Sequence, residues 1–477
     1  MNSNCNIIWT SKSLREALNT TKIPDNISTG MVQFNSKDVK ENDLFIALKG
    51  GSGDGHDYVQ DAINNGAGAV IVSSEINSFN CNNISYNKII TVQDTMKALD
   101  DLATYKRQKS SAKFIAITGS VGKTSTKEAI KLILETANKV FASRGNFNNH
   151  LGILINLASM HDEINYSILE LGMSSKGEIL ELSNIVKADI AIITLITEQH
   201  LKNFSSIYGI IDAKCEIFDG IKQNGIAILN SDDKYYNNIL QNIPIHKDLS
   251  LYRFGSKVGS LSKLISYEIS SNHHKTIIKY DVCNNIVTLN LNSILPFHHA
   301  ENFASGLLLG HILNLDLAIT AKSLEKFQLS DGRGKVIEIK LNNKNIKIIC
   351  DHYNASPLSL IASFKHLEQI PYANKIIIIG DMVELGDDDT QVKFHRKLLP
   401  HIIKSRPCKI ILIGKYMTML KPNIIENNIA CYDYDTTDSL INSDHLIKLI
   451  CDADLILLKA SRSMKLEKII QYIFKNT

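Results

Sequence analysis

The chain has 477 residues with a formal net charge of +3, and 44 % of its residues are hydrophobic and 21 % charged. That composition is ordinary for a soluble globular protein, and at about 150 residues per domain it suggests three domains. The positive balance is too weak to argue for nucleic acid or an anionic membrane, and neither is expected as a partner.

The eight cysteines (Cys5, Cys81, Cys215, Cys283, Cys350, Cys408, Cys431 and Cys451) are scattered and form no C-x-x-C pair. This usage fits reduced thiols and not a disulfide framework or a structural zinc site. Met1 to Leu18 has neither the basic start nor the apolar centre of a signal peptide. No apolar run approaches the roughly 18 residues of a membrane helix. A cytoplasmic protein without membrane insertion is expected.

Residues 1–108 read as a small α/β domain. Asp43–Leu48 predicts one strand, and Gly66–Val72 leads into another. Between them, Gly50-Gly-Ser-Gly-Asp54-Gly55-His56 reads as a flexible loop, either a ligand-approaching segment or a plain surface connection.

Residues 109–330 carry the motif FIAITGSVGKTST, Phe114 to Thr126. Phe114–Ile117 predicts a buried strand, Gly119-Ser-Val-Gly122 a turn, and Lys123-Thr124-Ser125 the start of a helix. Ala129, Ile130, Ile133 and Leu134 supply that helix with one apolar face. Strand, glycine turn, Lys-Thr and helix together make a phosphate cradle. Backbone N–H groups face the anion, the lysine reaches the terminal phosphates and the threonine hydroxyl holds magnesium. The match is to a shortened pattern, with Ile117 where another glycine is usual. The alternative is an ordinary βα turn with a surface lysine.

Tyr166–Leu171, Asp189–Leu195 and Gly225–Leu229 predict further strands, alternating with helical patterns. The expectation is a largely parallel sheet with helices on both faces and ligands beyond the carboxyl ends of its strands. Glu170 and His200 fall there, a carboxylate and an imidazole suited to a divalent metal, although His200 also reads as a plain loop residue. Residues 260–295 look β-rich and polar, as an edge hairpin or insertion.

Residues 331–477 repeat the α/β rhythm, with strands predicted at Ile346–Cys350, Lys375–Gly380, Lys409–Gly414 and Asp454–Leu458. Asp351, Asp381, Lys459 and Arg462 lie at or just beyond strand ends, where a second substrate-facing crevice is expected. Asp387-Asp-Asp389 reads as a solvated turn.

In this order the motifs resemble those of the Mur ligases of peptidoglycan synthesis, most closely the MurF type. Residues 118–125 are similar to the family's T-G-x-x-G-K-[ST] loop, and Gly145-Asn-Phe-Asn-Asn149 to its G-N-x-N-N. Glu170-Leu-Gly172 resembles its metal-binding glutamate segment, and His200-Leu and Ala213-Lys214 its second-metal histidine and carbamylated lysine. His298-His-Ala-Glu-Asn302 resembles G-x-H-N-x-x-N, with Pro296 and His299 replacing the glycine and first asparagine. The MurF type is indicated by Asp351-His-Tyr-Asn-Ala-Ser-Pro357, Gly380-Asp-Met-Val-Glu-Leu-Gly386 and Leu458-Lys-Ala-Ser-Arg-Ser-Met464. Asn35-Ser36-Lys37 stands where D-S-R is usual, and Asp54-Gly-His56 matches D-G-H. Lysine in place of arginine loses the bidentate fork.

The resemblance implies three domains: 1–108, binding a UDP-sugar; 109–330, a P-loop domain binding ATP; and 331–477, a Rossmann-like α/β ligase domain. It implies a ligase, expected as a monomer, that uses ATP and Mg2+ to add D-alanyl-D-alanine to UDP-N-acetylmuramoyl-tripeptide through an acyl phosphate. Lys123, Glu170, His200 and Lys214 would be catalytic. Gly119, Ser120, Val121, Gly122, Lys123, Thr124, Ser125, Asn302, Arg333 and Asp351 would bind ATP. Ser36, Lys37, Asp54, His56, Asn148, Asn149, Asn354, Ser461 and Arg462 would bind the other substrates. Thr124, Glu170, His200 and Lys214 as a carbamate would hold metal. Closure about a hinge near residue 330 would keep water from the acyl phosphate. The competing readings are another Mur-type or folylpolyglutamate-type ligase, and a P-loop switch that only hydrolyses nucleotide. The segments at 145–152, 351–357 and 458–464 have no use in such a switch.

Overall fold

The computed structural model describes residues 7–51, 53–73, 86–198, 201–204, 206–270 and 275–476. Among them, sheets of four, nine and six strands follow one another along the chain, with two short two-stranded ribbons near the start. The protein is a mixed α/β molecule.

The first sheet is parallel, with strands β1 (Val32–Gln33), β2 (Leu44–Ile46), β3 (Ala69–Val72) and β4 (Ile89–Thr91) side by side. The Gly50–His56 segment differs from the open loop its glycines predict. Lys49–Gly50 pairs with Gly53–Asp54 in a small ribbon, and a tight turn over Gly55–Tyr58 then buries His56. Helix α1 (Thr95–Lys109) leads into the second sheet.

Strand β5 (Lys113–Thr118) is near the centre of that sheet and feeds helix α2 (Lys123–Leu134). After it come β6 (Val140–Ala142), α3 (His150–Ala158), β7 (Tyr166–Glu170), α4 (Glu178–Val186), β8 (Ile190–Ile193), α5 (Ile207–Cys215), β9 (Ile226–Asn230) and β10 (Ser250–Phe254). The polar 260–295 segment forms β11 (Ser262–Ile269), β12 (Thr276–Val282) and β13 (Asn285–Leu291), an antiparallel extension of the sheet. The spatial order is β6-β7-β5-β8-β9-β10-β11-β12-β13, parallel as far as β11. Alternation along β5 divides its side chains between two cores. Phe114 and Ala116 face one, while Ile115 and Ile117 face the other. The first of these cores runs without a break from Ile8 to Ile239, so the four-stranded unit is welded to the central sheet.

Helix α6 (Phe297–Ile312) packs on α2 from the second core. The third sheet has the order β14 (Lys335–Leu341), β15 (Lys344–Cys350), β19 (Leu455–Lys459), β16 (Lys375–Gly380), β17 (Lys409–Ile413), β18 (Ala430–Tyr434). Only β14 runs antiparallel to its neighbour. The exposed β14 and β18 lack the continuous apolar run that makes the other four legible in sequence. Helices α7 (Pro357–Gln369), α8 (Asp388–Arg396) and α9 (Glu467–Lys475) cover this sheet. Asp387 is not in a free turn: its carboxylate accepts the Thr390 N–H at 2.9 Å and caps α8.

Candidate active site

Parallel pairing of β7 with β5 sets Glu170 beside Ile117, at the strand ends where the glycine turn begins. Gly119 has φ +147°, and a Cβ on it would lie 2.0 Å from Thr194 Oγ1. Gly122 has φ +88°, and its Cβ would lie 2.8 Å from Asn302 Oδ1. Both positions need glycine for the turn and for close approach. The turn is fastened to the end of β8: the Thr194 hydroxyl donates to the Val121 carbonyl at 2.7 Å, and Ser120 Oγ accepts the Thr197 N–H at 3.0 Å.

Lys123 donates to the Gly119 and Ser120 carbonyls at 2.7 and 3.3 Å. Thr124 donates its hydroxyl to Glu170 Oε2 at 2.9 Å, and Asn148 donates its amide to Oε1 at 3.0 Å. Glu170 is 2 % exposed. Lys214, in α5, is also buried, and no hydrogen-bond acceptor or carboxylate pairs with its ammonium among the described residues. Burial first, and then the Lys123 charge, pull its amine well below the ordinary lysine range. Lys123 is itself lowered by burial and by Arg333, against the opposing effect of Glu170. Residues from three segments of the chain thus meet electrostatically at Lys123, which feels the buried Glu170 carboxylate and the Arg333 charge and in turn lowers Lys214.

A buried carboxylate and a hydroxyl already in contact are the hard oxygen donors that magnesium prefers. Among the described residues no group of three or more His, Cys, Asp or Glu side chains gathers as a ready metal site. Further donors would have to come from Lys214 in carbamate form and from His200, which lies outside the described residues.

Asn302, on α6, donates to Ser125 Oγ at 2.8 Å and so stands against the start of α2. The Arg333 guanidinium stacks 4.2 Å above the Tyr353 ring. Asp351 Oδ2 accepts from Ser363 Oγ and from the buried Lys459, each at 2.7 Å. Between α6 and the third sheet lies a small cavity lined by His298, Arg333, Asp351, Ser363 and His366. His298 and His299 are in ring contact at 4.3 Å, and burial lowers both, His298 to about 4. His366 is likewise lowered to about 4 by burial.

Apart from Asn149 at the start of α3, the remaining expected residues lie in two further groups. In the first sheet's unit, Ser36 is buried and Lys37 exposed, with the Asn35 side chain accepting the Lys37 N–H at 3.2 Å. Asp54 accepts the His56 N–H at 3.0 Å and contacts the ring through Nδ1, while His56 Nε2 accepts the Ser73 N–H at 3.0 Å. The bonds from His56 hold the Asp54 carboxyl below its usual range. In the third sheet's unit, Ser461 is buried and its Oγ accepts the Val383 N–H at 2.9 Å. Arg462 is exposed, 3.3 Å from Glu467 and 5.8 Å above Tyr353. Asn354 is exposed with its side chain turned to the Ala355 N–H, and Asn149 caps α3 through the Gly152 N–H at 2.9 Å.

Three participants carry no motif signal that singles them out: Thr194, Ser363 and Arg144. Arg144 donates to Gln33 and to the Val32 carbonyl at 3.1 and 3.0 Å, joining the G-N-x-N-N segment to the first sheet. A basic residue just before Gly145 is the one sequence cue to that link.

Residues 117–310 match the Mur ligase middle domain, and residues 29–107 the catalytic domain of the Mur ligase family. A Rickettsia prowazekii protein named UDP-N-acetylmuramoyl-tripeptide--D-alanyl-D-alanine ligase is 44 % identical over 466 residues, covering 98 % of this chain and 100 % of its own. The crystal structure of MurF from Acinetobacter baumannii superposes with a TM-score of 0.78 at 26 % identity, covering 98 % of this chain and 99 % of that one. MurF ligase from Thermotoga maritima, in complex with ADP, superposes with a TM-score of 0.71 at 26 % identity, covering 93 % and 97 % of the two chains. With these motifs, this fold and this extent of likeness, the chain belongs to the Mur ligase family, within its MurF type.

Proposed function

We propose that the protein joins D-alanyl-D-alanine to UDP-N-acetylmuramoyl-tripeptide using ATP, a cytoplasmic step of peptidoglycan precursor synthesis. The observation that carries this reading is the Thr124–Glu170 pair buried at the glycine turn, with Lys123 within electrostatic reach of both Glu170 and Arg333. Two cations, Lys123 and Arg333, beside a glycine turn at a helix start suit a polyanion, and the ADP bound by the Thermotoga maritima relative fits such a cradle.

Amide formation needs a better leaving group than hydroxide. A tripeptide carboxylate oxygen attacks the γ-phosphorus of ATP, the bond to the bridging oxygen breaks, and ADP leaves. The dipeptide amine then attacks the acyl carbon of the acyl phosphate, loses a proton, and inorganic phosphate departs. Lys123 and the amides of residues 119–125 hold the phosphates, Arg333 adds charge from the third sheet's unit, and Asp351 takes the ribose. Asn302 contacts the base. Thr124, Glu170, His200 and a carbamylated Lys214 would hold Mg2+, whose charge offsets that of the reacting phosphate and carboxylate. For Lys214, burial without a carboxylate partner favours the neutral amine that reaction with carbon dioxide requires.

In this reading residues 1–108 take the UDP-sugar through Ser36, Lys37, Asp54 and His56. Residues 109–330 bind ATP, and residues 331–477 supply the acceptor site through Asn354, Ser461 and Arg462. Asn148 and Asn149 shape the tripeptide side of the centre, and the protein acts as a monomer. Among the described residues no helix is long and apolar enough to cross a membrane. The test is mass spectrometry of products from a mixed pool of nucleotide precursors, amino acids and dipeptides, beside phosphate release. The expected outcome is a UDP-linked pentapeptide, with phosphate released only when both acceptor and nucleotide-tripeptide are present. Release with ATP alone, or addition of a single amino acid, overturns the reading.

A further inference from the structure

Strand β19 reads Leu-Ile-Leu-Leu and then ends on Lys459, which is buried like the residues before it. A buried ammonium gives up its hydration, and an apolar residue of similar size would serve the packing at least as well. Its acceptors say what the charge does instead. Nζ donates to Asp351 Oδ2 at 2.7 Å and to the Asn354 carbonyl at 3.3 Å. The same Oδ2 accepts from Ser363 Oγ at 2.7 Å. Oδ2 is thus held from two sides, whereas Oδ1 has no hydrogen-bond partner among the described residues.

The Asp351 carboxylate lines the small cavity beneath α6. Its charge and that of Lys459 both act on His298, which shares one face of α6 with Asn302 a turn further on. The ion pair therefore stands on the nucleotide side of the centre. Asn354, whose carbonyl Lys459 also holds, belongs to the acceptor side, as do Ser461 and Arg462 just beyond Lys459 in the chain. We propose that Lys459 is a positioning residue that sets both sides at once. With Ser363 it turns Asp351 so that Oδ1 meets the ribose hydroxyls of ATP. Through the Asn354 carbonyl it fixes the loop that receives the dipeptide. The inference rests on the ligase reading above, with its Asp351–ribose contact, and adds the residue that ties the two substrates' sites together.

The test compares wild type, Lys459→Met and Ser363→Ala in steady-state ligation with ATP and with 2′,3′-dideoxy-ATP. Wild type is expected to favour ATP in kcat/KM by about tenfold to a hundredfold, the scale of hydrogen bonds to a charged group. In Lys459→Met that preference shrinks to about threefold or less and the dipeptide KM rises about tenfold, while the nucleotide-tripeptide KM stays within about twofold. Ser363→Ala loses part of the ribose preference and keeps the wild-type dipeptide KM, because the serine holds Asp351 alone. Should Lys459→Met fail to fold with Asp351 unpaired, the double variant Asp351→Asn, Lys459→Met leaves no charge without a partner. Its dipeptide KM is then expected well above that of Asp351→Asn. A full ribose preference or an unchanged dipeptide KM in Lys459→Met overturns the inference while leaving the ligase reading in place. So does a double variant that behaves as Asp351→Asn does. Wild type that ligates no dipeptide, or shows no ribose preference, fails the reading itself and takes this inference with it.

Discussion

Lys214 in α5 and Lys123 at the start of α2 lie within electrostatic reach of each other, and the Lys123 charge deepens the fall of the Lys214 amine that burial begins. An ammonium in that position would repel a metal and the second lysine alike. A carbamate made from the neutral amine reverses the sign and attracts both.

Lys214→Ala is therefore expected to be nearly inactive and partly restored by a small carboxylate such as acetate. Lys214→Glu, carrying its own anion, should keep some activity without rescue. Full turnover by the alanine variant, measured as phosphate release with all substrates present, would remove Lys214 from the centre.

Lys123→Ala should fold normally and lose about 10²–10³ in rate or more, the usual loss for a group that stabilises charge in the transition state. The two carbonyls that Lys123 bonds belong to its own turn. Circular dichroism should accordingly match wild type while ligation fails. Turnover close to wild type would refute the phosphate-cradle assignment.

Ser461→Ala and Arg462→Ala should each raise the dipeptide KM more than the ATP KM. Their stabilities should differ. Losing Ser461 Oγ leaves the Val383 N–H without its acceptor, at about 1–3 kcal/mol, whereas Arg462 is exposed and its loss should leave melting nearly unchanged. An ATP KM that rises alone would show that the roles are reversed.

The histidines between α6 and α7 predict an acid limit to stability. His366 is lowered to about 4 by burial and by neighbouring His298, against the pull of Asp351, while an unfolded histidine titrates near 6.5. Above about 6.5 both states are neutral and the stability is complete. As pH falls from about 6.5 to 4 the unfolded chain takes a proton that the folded one refuses, and stability is lost across that window. Melting temperatures measured from pH 7.5 to 4 should fall in this range, less steeply for His366→Gln. A flat profile in wild type would show that the histidines are not held neutral.

The sequence alone determined what local chemistry and periodicity write into neighbouring residues. Phe114–Ile117, Gly119-Ser-Val-Gly122 and Lys123-Thr124 announce a strand, a turn and a helix because each needs only its own side chains and the next few backbone angles. The four apolar strands after residue 345 were legible for the same reason, whereas β14 and β18, exposed and mixed in character, were not. Tertiary structure alone decided which distant groups meet. Parallel register beside β5 delivers Glu170 to Thr124, and the packing of α6 on α2 delivers Asn302 to Ser125 across 177 positions. Pairing of Asp351 with Lys459 and the Val383–Ser461 bond depend on strand order and on loops held from outside their own segment. A motif carries its own short-range geometry; the field and the contacts at a site are sums over neighbours that the fold supplies.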